Sequence, residues 1–145
     1  MPLDLIPSLQ KAAHLLALYL ERFRRDYGVT QPEAQVLAML DLRRRSSIRD
    51  LQRVLGHKPS TLTSILDRLV ARGFVTREPG RTDRRSFDVK LTRAGAAPAA
   101  AIRSALSTLE TKVVRRTGVT DARTLASVAS TLEELVGGRQ AERGA

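Results

Sequence analysis

The chain has 145 residues, 42% of them hydrophobic and 28% charged, which suits one globular domain with a helical extension and excludes a globally disordered polymer. It contains no cysteine, so disulfides, thiolate catalysis and thiol redox sensing are excluded together, and no apolar run is long enough to span a membrane. The net charge of +10 points to a polyanionic partner, and it is localised: fourteen Lys and Arg stand against five Asp and Glu between Arg43 and Arg93.

In chain order, Leu9, Ala12, Ala13, Leu16, Leu20 and Phe23 recur at intervals of three and four, which predicts a helix from Leu5 to Tyr27 with Gly28 as its C-cap. Thr30-Gln31-Pro32-Glu33 reads as a capping box opening a helix to about Leu42, with Ala34, Val36, Leu37 and Leu40 buried. Arg43-Arg44-Arg45-Ser46 breaks the apolar pattern and is expected to be a loop. Ser47 caps a short helix whose buried side is Leu51, Val54 and Leu55, and Gly56 ends it. Lys58-Pro59 opens a helix to about Arg72, apolar at Leu62, Ile65, Leu66, Leu69 and Val70 and closed by Gly73. Phe74 to Arg77 and Ser86 to Leu91 pattern as strands, and the segment between them has the Pro-Gly punctuation of a hairpin tip. Thr92 caps a long helix from about Arg93 to Arg116, and Thr120 caps a last helix to about Val136. Pro98 lacks a backbone donor and is expected to kink the long helix or delay its start. Residues 138–145 read as a disordered tail.

This order predicts a mostly α fold with a small β-hairpin wing, a winged helix-turn-helix with flanking dimerisation helices. Residues 30–92 form the DNA-binding lobe, and 1–29 with 93–137 form the helical dimerisation region. A recognition helix needs an apolar stripe as anchor and a small, polar or cationic stripe facing the major groove. Opposite the Leu/Ile stripe of 58–72 lie Ser60, Thr61, Thr63, Ser64, Asp67 and Arg68. A plain amphipathic helix with a solvated face has the same pattern. The hairpin tip carries Arg81, Arg84 and Arg85, which suit a narrow minor groove better than burial. A solvated charged turn is the bland reading of that tip; the two elements together favour DNA.

The block from Leu55 to Val75 resembles the recognition-helix region of the multiple-antibiotic-resistance regulator (MarR) family. Asp83-Arg84-Arg85, followed by Leu91-Thr92-Arg93-Ala94-Gly95, is similar to that family's wing signature. The resemblance implies a transcriptional repressor that binds a pseudo-palindromic operator as a homodimer, helix 58–72 in the major groove and wing 76–90 in the minor groove. It implies that Arg85 enters the minor groove and that Asp83 orients it. Arg81 and Arg84 support phosphate or groove contacts, Ser60, Thr61, Thr63 and Arg68 line the major-groove side, and Arg49 and Lys58 contact phosphates. Two residues depart from the family pattern. Lys58 stands where a capping Ser, Asp or Asn is usual, and Ser64 where many members carry a base-reading Arg.

Ile102, Leu106, Leu109 and Val113 form one apolar stripe, and Leu125, Val128, Leu132 and Leu135 another. Packing within the chain is the simple reading of both; a C2 dimer meeting a two-fold DNA site is the stronger one. Members of the resembled family respond to small phenolic or lipophilic effectors, and an effector is expected here without an identity. Tyr19, Phe23 and Tyr27 share a helix face, which suits packing better than an effector pocket. The reactive cysteine of the family's oxidation-sensing branch is absent. His14 and His57 are the only histidines and have no cysteine partners, so no metal or cofactor is expected, and no catalytic motif supports an enzyme. The alternative reading is a sequence-tolerant architectural DNA- or RNA-binding protein. The start Met1-Pro2-Leu3-Asp4 lacks a secretory pattern, so the expected location is the cytoplasm.

Overall fold

The structure is a computed structural model that describes residues 3–81 and 83–141. Its elements are α1 (Leu5–Tyr27), α2 (Gln31–Arg43), β1 (Arg45–Ser47), α3 (Ile48–Leu55), α4 (Pro59–Ala71), β2 (Val75–Pro79), β3 (Phe87–Leu91), α5 (Arg93–Thr117) and α6 (Ala122–Ala141). The residues up to Ala105 form one compact unit and those from Leu106 onward a second.

The helix boundaries of the first unit follow from side chains that satisfy the orphan amides of each first turn. Thr30 Oγ1 accepts from the Glu33 amide at 3.5 Å and Glu33 Oε2 accepts from the Thr30 amide at 3.0 Å, the reciprocal capping box. Ser47 Oγ accepts from the Asp50 amide, and Thr92 Oγ1 accepts from that of Gly95. Gly28 closes α1 in the left-handed region at φ 67°, where a residue with a Cβ would be strained. Leu37 and Leu40 of α2, Leu51 of α3, Leu62, Ile65, Leu66 and Leu69 of α4, and Ile102 of α5 are fully buried and make the core. They are joined there by Val75 and Val89 of the sheet, so the recognition helix and the wing share one apolar base.

Several expectations are corrected. Arg45–Ser47 is a strand rather than a loop: β1 pairs with β3, with Ser46 opposite Val89, giving the antiparallel order β1-β3-β2. Val54 and Val70, expected in the core, are 51% and 40% exposed, because the buried arcs of their helices are narrower than the apolar pattern. On α1 only Leu20 and Phe23 of the expected stripe are buried, while Leu16 is exposed. The buried Pro98 does not delay α5, which starts at Arg93. Asp121, not Thr120, serves the start of α6, its Oδ1 accepting from the Arg123 amide at 2.9 Å.

The second unit holds the C-terminal part of α5 and α6, separated by a turn with Gly118 at φ 70°. The helix α6 runs five residues beyond the expected Val136; of the expected tail, 142–145 lie outside the described residues. Val113, Leu125, Leu132, Leu135 and Val136 are all exposed. Among the described residues, no helix is long and apolar enough to cross a membrane.

Candidate nucleic-acid interface

The first turn of α4 has no side-chain cap: Lys58 is extended at the N-cap and offers no acceptor, and Pro59 follows it. The hydroxyls beyond fall into two pairs. Ser60 and Thr61 are exposed and, among the described residues, their hydroxyls make no hydrogen bond, so both can donate to a ligand. The Thr63 hydroxyl donates to the Pro59 carbonyl at 2.9 Å and the Ser64 hydroxyl to that of Ser60 at 3.1 Å. These two are turned back on the helix and face outward only as acceptors. Arg68 is half exposed; its Nε donates to Oε1 of the buried Glu33 at 2.6 Å, which joins α4 to the capping box of α2.

The wing is held at three levels. At its stem Arg45 on β1 donates from Nε to Asp88 on β3 (2.7 Å), from Nη1 to Glu78 on β2 (2.8 Å) and from Nη2 to the Pro79 carbonyl (3.2 Å). Along β2, Arg77 Nη2 donates to Asp67 Oδ1 on α4 at 2.5 Å, fastening the wing to the recognition helix. At the tip the Gly80 amide donates to the Ser86 carbonyl, and both the amide and the hydroxyl of Ser86 donate to the Asp83 carbonyl. Asp83 Oδ1 accepts from the Arg85 backbone amide at 2.9 Å. Asp83 thus contacts Arg85 through the main chain and leaves the guanidinium unbonded by it.

These bonds set the electrostatics. Each of the five acids between Arg43 and Arg93 has an internal partner: Asp50 pairs with Arg53, Asp67 with Arg77, Glu78 and Asp88 with Arg45, and Asp83 with the Arg85 amide. Arg49, Lys58, Arg81, Arg84 and Arg85 are exposed and carry no ion pair among the described residues. Arg43, Arg44, Lys90 and Arg93 are likewise exposed without an ion pair among the described residues, so the uncompensated charge on α3, at the start of α4 and at the wing tip is part of a wider basic surface.

The structure brings the tip arginines and the α4 hydroxyls onto one lobe, joined through Arg77 and Asp67. The ties made by Arg45 and Arg77 are not legible in the sequence pattern. The available signal was the set of isolated acids in a strongly basic segment, since an acid retained there needs a cationic partner. His57 lies in the turn between α3 and α4, and among the described residues no His, Asp and Glu group could hold a metal ion.

A sequence model of the MarR family matches residues 27–86. The multiple antibiotic resistance protein MarR of Escherichia coli K12 is 33% identical over 98 residues, covering 65% of this chain and 67% of that one. The structure of reduced AbfR bound to DNA, a protein of Staphylococcus epidermidis, superposes with a TM-score of 0.66 at 28% identity, covering 91% of this chain and 92% of that chain. The transcription regulator MarR of Oenococcus oeni shares the fold, with a TM-score of 0.70 at 20% identity over 92% of this chain and 99% of that one.

Proposed function

The chain belongs to the MarR family of DNA-binding transcriptional regulators, and from that premise we infer that it is a repressor that binds a pseudo-palindromic operator as a homodimer. The observation that carries the reading is the uncompensated cationic set. With all five neighbouring acids engaged internally, Arg81, Arg84 and Arg85 form a protruding positive tip suited to the narrow minor groove. Ser60, Thr61, Thr63 and Ser64 then face the major groove, with Arg68 using the nitrogens that Glu33 leaves unbonded. Arg49 and Lys58 contact phosphates, and a phosphate at the uncapped start of α4 supplies the acceptor that Lys58 lacks. Asp83 holds the wing backbone from which Arg85 projects.

Dimerisation rests on the exposed leucines of α1 and α6, and a two-fold dimer presents two such lobes to a two-fold site. Control by a small lipophilic effector belongs to the same reading through the family. The aromatic face of α1 suits packing better than an effector pocket: Tyr19 donates to the Ala105 carbonyl at 3.1 Å, and Phe23 is buried and stacked on Tyr27. Such a regulator works in the cytoplasm, beside the DNA it reads. One observation favours the second reading, a sequence-tolerant binder of DNA or RNA. Thr63 and Ser64 spend their donors within the helix, which leaves fewer groups to read base edges.

The deciding experiment enriches a duplex from a random-sequence library with the wild-type protein. Binding to that duplex, to its scrambled counterpart and to a structured RNA is then measured across a salt series. A regulator prefers the enriched duplex by about 100-fold or more at physiological salt, and Arg85→Ala weakens that binding. Equal binding to all three with a steep salt slope supports the sequence-tolerant reading. No binding to any of them overturns both.

A further inference from the structure

Where α4 ends, its last side chain reaches out of the DNA-binding lobe's helix pair and onto α1. Arg72, the C-cap of α4, donates from Nη1 to the Gly28 carbonyl and from Nη2 to the Tyr27 carbonyl, both at 2.7 Å. Those carbonyls terminate a helix of 23 residues, so they have no intrahelical partner and lie at its partially negative end. The planar fork of the guanidinium suits two adjacent carbonyl oxygens in a way that an ammonium group does not. Two further features shape the seat. The guanidinium lies 5.4 Å from the centroid of the Phe74 ring. Gly28 has no Cβ, and one built there would collide with the guanidinium itself.

We propose that Arg72 is a positioning residue for DNA recognition: it registers the recognition helix against the C-terminus of α1 without contacting DNA. This rests on the proposed operator-binding function. The Arg68–Glu33 bond, one turn earlier on α4, holds the helix to α2. The buried Leu62, Ile65, Leu66 and Leu69 seat α4 in the core and Asp67 ties it to the wing, but these leave a small rocking about the Arg68–Glu33 bond; Arg72 supplies the polar anchor at the C-terminal end that limits it. Ser60 is eight residues from the Arg68 anchor, roughly 12 Å along the axis, so a pivot of about 7° displaces its hydroxyl by about 1.5 Å. Such a displacement breaks a hydrogen bond to a base edge but leaves flexible arginines able to follow phosphates. Arg72 therefore governs specificity, and because its bonds are exposed to solvent it contributes little to global stability.

The test uses the full-length protein with the duplex enriched by wild type and its scrambled counterpart, for R72K, R72A and G28A. R72K keeps the charge and removes the fork; G28A keeps Arg72, fills its seat and also strains the α1 C-cap, a cost read separately from its melting temperature. The expected result is a loss of about 10-fold or more in the ratio of the two affinities in all three, the scale of one charge-assisted hydrogen bond. Scrambled-duplex binding and the salt slope of R72K stay as in wild type, and R72K melts within a few degrees of it. A wild-type ratio in R72K overturns the proposal. So does an equal loss on both duplexes in R72A with a shallower salt slope, since that marks a phosphate contact. If wild type enriches no duplex, the operator-binding function fails and this proposal falls with it. Enrichment by wild type with unchanged variants removes this proposal alone.

Discussion

Arg77 on β2 donates to Asp67 on α4, so the wing and the recognition helix are fastened to each other by an ion pair as well as by their shared core. The Arg77 side chain is 30% exposed and that of Asp67 58%, so the pair is largely solvated and salt-screened. A double-mutant cycle on Asp67→Ala and Arg77→Ala is expected to give a coupling of about 0.2–1 kcal/mol in chemical unfolding, shrinking as salt rises. The consequence for DNA is larger and has two signs. Asp67→Ala deletes an acid near the duplex, so binding to scrambled DNA tightens, while the loosened wing lowers the preference for the enriched duplex. An unchanged preference would show that the shared core alone fixes the wing.

At the wing tip, Asp83 makes a prediction opposite to that of simple charge. Removing an acid from a basic surface favours DNA by electrostatics alone. Yet Asp83 Oδ1 holds the Arg85 amide, and its loss frees the backbone that aims the guanidinium. Asp83→Ala is therefore expected to weaken binding to the enriched duplex several-fold. Asp83→Asn, which retains an acceptor oxygen but loses the negative charge, binds as tightly as wild type or somewhat more tightly. Tighter binding by Asp83→Ala would sink the positioning role.

The sequence disclosed what is local and little of what is lateral. The capping box at Thr30 and Glu33, the Ser47 cap and the left-handed Gly28, Gly56 and Gly73 act within four residues, and each was readable from spacing, whereas Gly118 was not. The tip arginines stood out because several cations follow a Pro-Gly turn. The strand β1 was hidden because it has three residues and a single buried side chain, Ser46, and its pairing lies more than forty residues away. The turn into it passes through Arg44 at φ 62°, a conformation that no sequence pattern announces for arginine. The Arg45, Arg72 and Arg77 ties join residues ten to forty-five positions apart, and in a chain rich in arginine, composition does not say which arginine meets which acid or carbonyl.

Gly95, the last residue of the wing-signature resemblance, has a physical requirement. A Cβ there would overlap the carbonyl group of Phe74. That carbonyl is fixed because it accepts from the Thr92 amide, while the Phe74 amide donates to Leu69. Alanine is the better helix former by about 1 kcal/mol, so propensity alone predicts that Gly95→Ala stabilises α5. The overlap is with backbone and outweighs that gain; a net destabilisation of about 1–3 kcal/mol is expected in chemical unfolding. Gly118→Ala is the control, with open space around it and only the cost of its positive φ, about 1 kcal/mol.

The faces of α1 and α6 make the last prediction. Leu5, Leu15, Leu16 and Leu18 on α1, and Leu125, Leu132 and Leu135 on α6, are exposed. Scattered exposed leucines are ordinary on protein surfaces, but Leu5 and Leu16 share one face of α1, and Leu125, Leu132 and Leu135 share one face of α6. If a second copy covers them, each leucine is buried twice in a two-fold interface, and burial of one leucine is worth about 1.5–3 kcal/mol. A glutamate at such a position loses that gain twice and adds a desolvation cost. Leu16→Glu and Leu132→Glu, taken separately, are thus expected to raise the dimer dissociation constant by a factor of about 100 or more. Sedimentation velocity over a range of concentrations reads this directly. Both substitutions lie outside the winged lobe, so binding of one lobe to a half-site survives while the full two-fold site loses its advantage. A dimer that persists with Leu16→Glu excludes that face of α1 from the interface, and persistence with Leu132→Glu does the same for α6.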